Sequence, residues 1–411
     1  MMKLTTAIKL GSLLLLAALA SGAHAQMDHG KRMAAKAELG TAAALDPQGR
    51  LWIASKEQAA GSPAQYVVLQ SSPDMGASWS APRRIQQEPE AVAADGESRP
   101  KLAFGSQGQI YIAYTKPLGK PYTGEIRFVR SLDGGQTFSA PVTVHRNRDE
   151  ITHRFESMIV DREGRIHIAW IDKRDIELAK ARKEAYRGAA IYYAVSDDAG
   201  ASFKGDYKAA DHSCECCRIA MALTPQGKAV AMWRHVFEPN VRDHALRELT
   251  PDGVLPPLQR ASFDDWHIDA CPHHGPALAF GADGKRHQTW FGVRGEAGGV
   301  FYGVADADGK LGQVQQLGSA QAEHADVLVD GKTITLVWKQ FDGKATAIWG
   351  RRSTDNGLNW TSGVLASSRG NSDQPHLLAT PAGAFLLWRT QDEGVRILPA
   401  IPAPSATGVL P

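Results

Sequence analysis

Seven times along this chain, a short run of alternating apolar residues, a turn containing glycine and a second run carrying an aromatic residue recur in that order. The segments are TAAALDPQGRLWIAS, PKLAFGSQGQIYIAYT, SMIVDREGRIHIAWID, RIAMALTPQGKAVAMWRH, PALAFGADGKRHQTWFG, ADVLVDGKTITLVWKQ and HLLATPAGAFLLWRT. Their turn glycines, Gly49, Gly108, Gly164, Gly227, Gly284, Gly331 and Gly383, are separated by 59, 56, 63, 57, 47 and 52 residues. Period-two alternation on both sides of a turn is the pattern of half-buried antiparallel strands. One hairpin cannot close a core, so repeated units must stack. Four-stranded units of this length arranged around an axis make a propeller. The expected fold is therefore all-β: a β-propeller of four-stranded antiparallel blades, seven in number, with six the alternative count. A strand from about residues 35–39 would complete the short seventh unit and close the ring.

A second repeat overlies the first. SSPDMGASW (71–79), SLDGGQTF (131–138), SDDAGASF (196–203) and STDNGLNW (353–360) share Ser-x-Asp-x-Gly-x-(Ser/Thr/Asn)-aromatic. The aspartates Asp74, Asp133, Asp198 and Asp355 suit a tight turn in which a carboxylate collects backbone N–H groups, and the glycines supply its positive φ. Trp79, Phe138, Phe203 and Trp360 are expected to plug the underside. Units four and five carry only degenerate versions, HALRELTPDGVL and VFYGVADADGKLG. The motif resembles the Asp-box, or bacterial neuraminidase repeat, of the sialidase-like β-propeller superfamily. The resemblance implies the fold; Asp boxes are structural and occur in non-enzymes as well.

The N-terminus MMKLTTAIKLGSLLLLAALASGAHAQ has a basic start, an apolar run from Leu10 to Leu19 and Ala23-His24-Ala25 before Gln26. That is the layout of a secretory signal peptide cleaved after Ala25, and the run is too short to span a bilayer. The expected organisation is a signal peptide over 1–25, the propeller over 26–400 and a C-terminal tail over 401–411, in a periplasmic or secreted monomer not inserted in a membrane. Lys and Arg total 46 against 44 Asp and Glu, a balance that points to no nucleic-acid partner.

Three of the four cysteines, Cys214, Cys216 and Cys217, fall within DHSCECCRIA, and the fourth, Cys271, within DACPHHGPAL. Counted back from Gly227, they lie 13, 11 and 10 residues before the turn; counted back from Gly284, Cys271, His273 and His274 lie 13, 11 and 10 before. Cys-x-Cys-Cys and Cys-x-His-His thus occupy equivalent places in adjacent units, at the start of the strand nearest the axis. The same face should gather Arg99, His153, Arg154, Glu156, Asp172, Lys173, Arg174, Arg218, Arg234, His235, His267, His324, Asp326 and His376, with the Asp boxes on the other.

Two readings of the thiols stand side by side. Exported cysteines commonly pair, and a bridge from Cys216 or Cys217 to Cys271 would pin two blades together, although a second relaxed bridge among close neighbours is hard to build. Alternatively, thiolates and imidazoles on adjacent blades form a copper or zinc site, or a redox-active dithiol. The metal reading takes its ligands from Cys214, Cys216, Cys217, Cys271, His273 and His274. Its preferred set is Cys214, Cys216, Cys271 and His273, with Cys217, His212 and His274 as substitutes. Adjacent histidines on an extended strand point to opposite sides, so only one of His273 and His274 should share the site of Cys271.

True sialidases of the resembled superfamily clamp a carboxylate with three arginines and use a Tyr/Glu pair and an Asp. Here Arg99, Arg154, Arg218 and Arg234 supply candidate guanidiniums, and Glu156 and Asp172 candidate acids. The Arg-Ile-Pro motif is missing, with only Arg99-Pro100 faintly like it, and no tyrosine follows Tyr302. The pattern also resembles exported bacterial sialidase-like proteins carrying both Cys-x-Cys-Cys and Cys-Pro-His-His, which implies a shared Cys/His function. The expectation is a copper- or zinc-handling or redox propeller in the cell envelope, its partner a metal ion or an envelope protein. The alternatives are an exo-glycosidase acting on an acidic sugar and a protein-interaction propeller with structural disulfides.

Overall fold

The computed structural model describes residues 38–403, so the expected signal peptide and most of the C-terminal tail lie outside the described residues. The strands form seven separate antiparallel sheets. Blade 1 is β1 (Thr41–Leu45), β2 (Leu51–Gln58), β3 (Gln65–Ser72) and β4 (Arg83–Arg84). Blade 2 is β5 (Lys101–Phe104), β6 (Ile110–Pro117), β7 (Gly124–Ser131) and β8 (Val142–Thr143). Blade 3 is β9 (His153–Val160), β10 (Ile166–Asp172), β11 (Ala189–Ser196) and β12 (Lys204–Ser213). Blade 4 is β13 (Ala220–Leu223), β14 (Ala229–Arg234), β15 (His244–Glu248) and β16 (Gln259–Arg260). Blade 5 is β17 (Ala277–Phe280), β18 (Arg286–Arg294), β19 (Ala297–Ala305) and β20 (Leu311–Leu317). Blade 6 is β21 (Ala322–Asp330), β22 (Thr333–Phe341), β23 (Thr346–Ser353) and β24 (Thr361–Ser368). Blade 7 has three strands, β25 (His376–Thr380), β26 (Gly383–Thr390) and β27 (Gly394–Pro399). The first strands touch in ring order, β1, β5, β9, β13, β17, β21, β25 and back to β1, and so surround the axis.

Each hairpin forms where the alternation places it, and all seven turn glycines have positive φ, from 57° at Gly331 to 107° at Gly383. The aromatic of the second strand becomes the wedge between blades. Tyr114, Trp170, Trp233, Trp290, Trp338 and Trp388 are each at most 1% exposed. Burial of 150–250 Å² by such a ring is worth about 4–6 kcal/mol before entropy is counted.

Four Asp boxes form as expected. In the second, Ser131 Oγ donates to Asp133 Oδ1 at 2.7 Å, while Asp133 accepts Thr137 N at 2.9 Å and Thr137 Oγ1 at 2.6 Å. The hydroxyl and amide of Thr137 hold this carboxyl well below the ordinary range. The turn then packs on the preceding blade: a Cβ on Gly135 would sit 3.2 Å from Ile110 Cδ1 and 3.5 Å from Trp52. Register fixes which face carries the boxes. Ser196 pairs with Ile166, which pairs with Val160, whereas His153 pairs with Asp172 at the other end of blade 3.

Two details differ from expectation. No outer strand completes blade 7 among the described residues: Glu38 and Leu39 join no sheet, and residues 35–37 lie outside. The ring closes instead through side chains. Thr41 N donates to Asp373 Oδ2 at 3.0 Å, Arg99 bridges Thr41 O (3.1 Å) and Asp373 (3.3 Å), and Ile397 packs with Met75 and Trp79. The second is a helix, α1 (Arg174–Arg182), between β10 and β11. Its signals are present in DKRDIELAKARK: acidic residues Asp175 and Glu177 in the first turn, basic Lys180 and Arg182 in the last.

Candidate metal centre on the axial face

The two cysteine strings are linkers. Residues 214–217 run from β12 to β13, and residues 271–274 lead into β17, all outside strands. This overturns the geometry that assigned alternate residues to opposite sides. In a bend, vicinal side chains can converge. Cys214 and Cys216 sulfurs are 3.7 Å apart, Cys216 and Cys217 3.9 Å, and Cys217 and Cys214 3.8 Å. All three are nearly sealed from solvent, packed between Ile171 and Ile191 of blade 3 and Trp233 of blade 4. Cys271, on the next linker, is exposed; it interacts electrostatically with Cys214 and Cys216 but lies outside the group of three whose ligand atoms are all within 4.8 Å of one another. All four cysteines are free, with no disulfide among them.

The electrostatics lower the pKa of two of the four thiols. Thiols of Cys214 and Cys216 turned toward Cys271 hold its sulfur well below the ordinary thiol value. Cys216 and Cys217 do the same for Cys214, helped by the Arg234 guanidinium. Cys217 is pushed up to about 12 by its contact with Cys214. The three buried sulfurs, in mutual contact, form a ligand set that would lose protons on taking a cation.

His273 is exposed, with φ of 56°; like Cys271 it lies outside the group whose ligand atoms are within 4.8 Å of one another, which is Cys214, Cys216 and Cys217. His274 stacks on Phe291 at 4.2 Å between centroids, and burial lowers its pKa well below the ordinary imidazole value. His212 turns away, its Nδ1 3.1 Å from Arg187 O and its ring against Tyr186.

The centre of this face is occupied by a residue absent from the sequence list. Glu97, in the linker between blades 1 and 2, is 1% exposed and crosses to the axis. It accepts Arg218 N at 2.7 Å and Arg218 Nη1 at 3.1 Å from blade 4, Gly275 N at 3.1 Å from blade 5 and Gln374 Nε2 at 2.7 Å from blade 7; His324 of blade 6 approaches to 3.2 Å. Despite its burial, Arg218 and His324 hold its carboxyl well below the ordinary value. In sequence, GESRP reads as a polar turn, and nothing local marks Glu97 out.

The candidate sialidase groups are gathered on this face but engaged internally. Arg218 bonds Glu97, Gln374 and Ala325 O; Arg99 bonds Asp373 and Thr41 O. Arg234 is 1% exposed and donates to the carbonyls of Arg242, His274 and Phe291. Arg154 lies over the Phe155 ring at 4.9 Å, with a buried Nε that has no partner. Glu156 and Asp172, the candidate acids, are fully buried. Asp172 accepts Trp170 Nε1 and three bonds from Arg174, a structural role. Glu156 accepts Thr115 Oγ1 at 2.5 Å, and burial raises its pKa. Below Arg99 and Arg218, the channel opens into a cavity of about 310 Å³ lined also by Lys101, Asp326, Gln374 and His376.

No family model matches this chain, and no curated protein is similar to it in sequence. Solved structures are similar in fold. A PL25 polysaccharide lyase, an ulvan lyase bound to -[GlcA(1-4)Rha3S]-, is 11% identical, covers 88% of this chain and 93% of its own, and has a TM-score of 0.50. The Penicillium chrysogenum α-L-arabinanase is 15% identical over 73% of this chain and 88% of its own, with a TM-score of 0.46. The NanB sialidase from Streptococcus pneumoniae is 8% identical over 75% and 67%, with a TM-score of 0.45. At these identities the likeness speaks to fold alone. Among the described residues, no helix is long and apolar enough to cross a membrane.

Proposed function

We propose that this protein is an exported propeller that binds a soft or borderline metal ion, copper(I) or zinc(II), through Cys214, Cys216, Cys217 and Cys271, and that it holds, delivers or buffers that ion in the cell envelope. One observation carries the reading: three sulfurs on an almost equilateral triangle with sides of 3.7, 3.8 and 3.9 Å. The edge of a tetrahedron of sulfurs around zinc, at Zn–S of about 2.3 Å, is about 3.8 Å. The triangle therefore has the dimensions of one tetrahedral face, and the exposed Cys271 of the next linker, which interacts with Cys214 and Cys216, is the fourth donor in this reading. An ion in the plane of the three sulfurs would sit at about 2.2 Å from each, the mean side divided by √3, and thiolates select copper(I) among the copper states. Bound metal would supply Lewis acidity or redox capacity; the protein supplies three buried thiols and one exposed one.

The glycosidase alternative draws less support, because Arg99, Arg218 and Arg234 each already have carboxylate, amide or carbonyl acceptors in the protein. The test is metal analysis with thiol titration on anaerobically purified full-length protein. Stoichiometric zinc or copper, lost in a Cys214→Ser/Cys217→Ser variant, supports the proposal. Metal-free protein whose four cysteines form two disulfides refutes it.

A further inference from the structure

We propose a second, harder metal site on the same face, formed by His274, Glu323 and His324 and suited to a divalent borderline ion of the zinc(II) or copper(II) class. One ligand atom from each residue lies within 4.8 Å of the other two. His274 comes from the linker into blade 5, whereas Glu323 and His324 start β21 of blade 6. The donor set, two imidazoles and a carboxylate, differs in kind from the four thiols. Three protein ligands leave a coordination position open, and half-burial lets water or a small ligand reach it.

Several independent features point to an ion here. His324 Nε2 and Glu323 Oε2 face each other at 3.8 Å. With the Nδ1 proton on the Glu97 side, where the ring nitrogen is 3.2 Å from Oε1, Nε2 presents a lone pair to a carboxylate. Two acceptors at that separation want a cation between them. Two ligands at about 2.1 Å in tetrahedral arrangement stand about 3.4 Å apart, so closure needs only a few tenths of an ångström. The nitrogen His274 Nδ1 is sealed from solvent and finds no hydrogen-bond partner in the protein, an orphaned buried group of the sort that calls for a reason. The backbone is also bent to make this arrangement. His324 has φ of 49°, and the pairing of β21 with β22 slips between Glu323 and Asp326, a bulge that aims the imidazole at the axis. Glu97 then plays the part of the carboxylate that orients a ligating histidine.

The Cys-Pro-His-His string is thereby divided between two centres. Cys271 reaches back to the thiols of the preceding linker, and His274, three residues on, reaches forward to blade 6. Lys339 Nζ, 3.7 Å from Glu323 Oε1, is the cation a metal would displace.

Cobalt(II) reads the two centres separately, because thiolate ligands add an intense near-ultraviolet charge-transfer band that a His/carboxylate site lacks. Wild-type protein is expected to bind two equivalents. Glu323→Gln and His274→Gln should each remove the equivalent without charge transfer, or weaken it at least tenfold, and leave the thiolate band intact. Lys339→Met should tighten the same equivalent. The Cys214→Ser/Cys217→Ser variant should retain one equivalent with d–d bands alone, and this arm stands whether or not the thiol site binds metal. A wild type that takes up no cobalt outside the thiolate band, or a second equivalent indifferent to both Glu323→Gln and His274→Gln, overturns the proposal. Glu323 is half-exposed, so its isosteric replacement keeps the test readable if a histidine variant fails to fold.

Discussion

Replacing Glu97 by glutamine keeps the shape of the side chain and removes the charge on which four blades converge. Glu97 accepts four hydrogen bonds and faces His324 at 3.2 Å, yet is 1% exposed. An amide in its place can accept at one oxygen only and turns its NH₂ toward donors. It also leaves the Arg218 guanidinium without its anion. Breaking a buried pair in this way costs about 3–5 kcal/mol. For the 366 residues from 38 to 403, an unfolding entropy of about 2.1 cal/mol/K per residue gives about 0.8 kcal/mol/K, so Tm should fall by about 4–6 °C. The pH dependence supplies a second readout. The folded carboxyl lies well below 4.5, so its stabilisation is complete above the unfolded value and is lost as pH falls toward the folded one. The gap between wild type and Glu97→Gln should therefore be full at pH 7 and shrink by about 1.4 kcal/mol per unit below pH 4.5. Urea melts of both proteins from pH 7 to 3.5 measure this. A gap under about 1 kcal/mol at pH 7, or one that stays constant down to pH 3.5, refutes the reasoning.

Three further outcomes are expected. Cys271→Ser should weaken zinc binding at least tenfold while leaving copper(I), held in the plane of three sulfurs, much less affected; competition with a chromogenic chelator for each ion distinguishes them. Gly200→Ala places a Cβ 2.4 Å from the Phe128 ring at φ of 79°, so it should cost about 2–4 kcal/mol in chemical denaturation, and an effect under 1 kcal/mol would contradict the packing. Burial lowers the pKa of Lys101 from 10.5 to about 8, so between those values the native state holds fewer protons than the unfolded one and stability rises with pH; the difference between wild type and Lys101→Met should change by about 3 kcal/mol across that window.

The repeat alone determined most of the architecture. A period-two alternation around a glycine turn buries its apolar face by pairing and stacking, so seven such hairpins in one chain pointed to a propeller of seven blades, with six as the alternative that the closed ring excluded. The Asp boxes were legible for the same reason, since Ser131, Asp133 and Thr137 bond within seven residues of chain. The equivalent placement of the two cysteine strings followed from counting. Tertiary structure decided what counting cannot reach. Whether Cys217 or His273 faces the cluster depends on a bend in a linker, where no hydrogen-bonded ladder imposes alternation. Glu97 meets partners 121, 178 and 277 residues away, from blades 4, 5 and 7. Local pattern is written by neighbours along the chain; a charge at the axis is defined by every blade at once, and only the closed ring brings them within hydrogen-bonding distance.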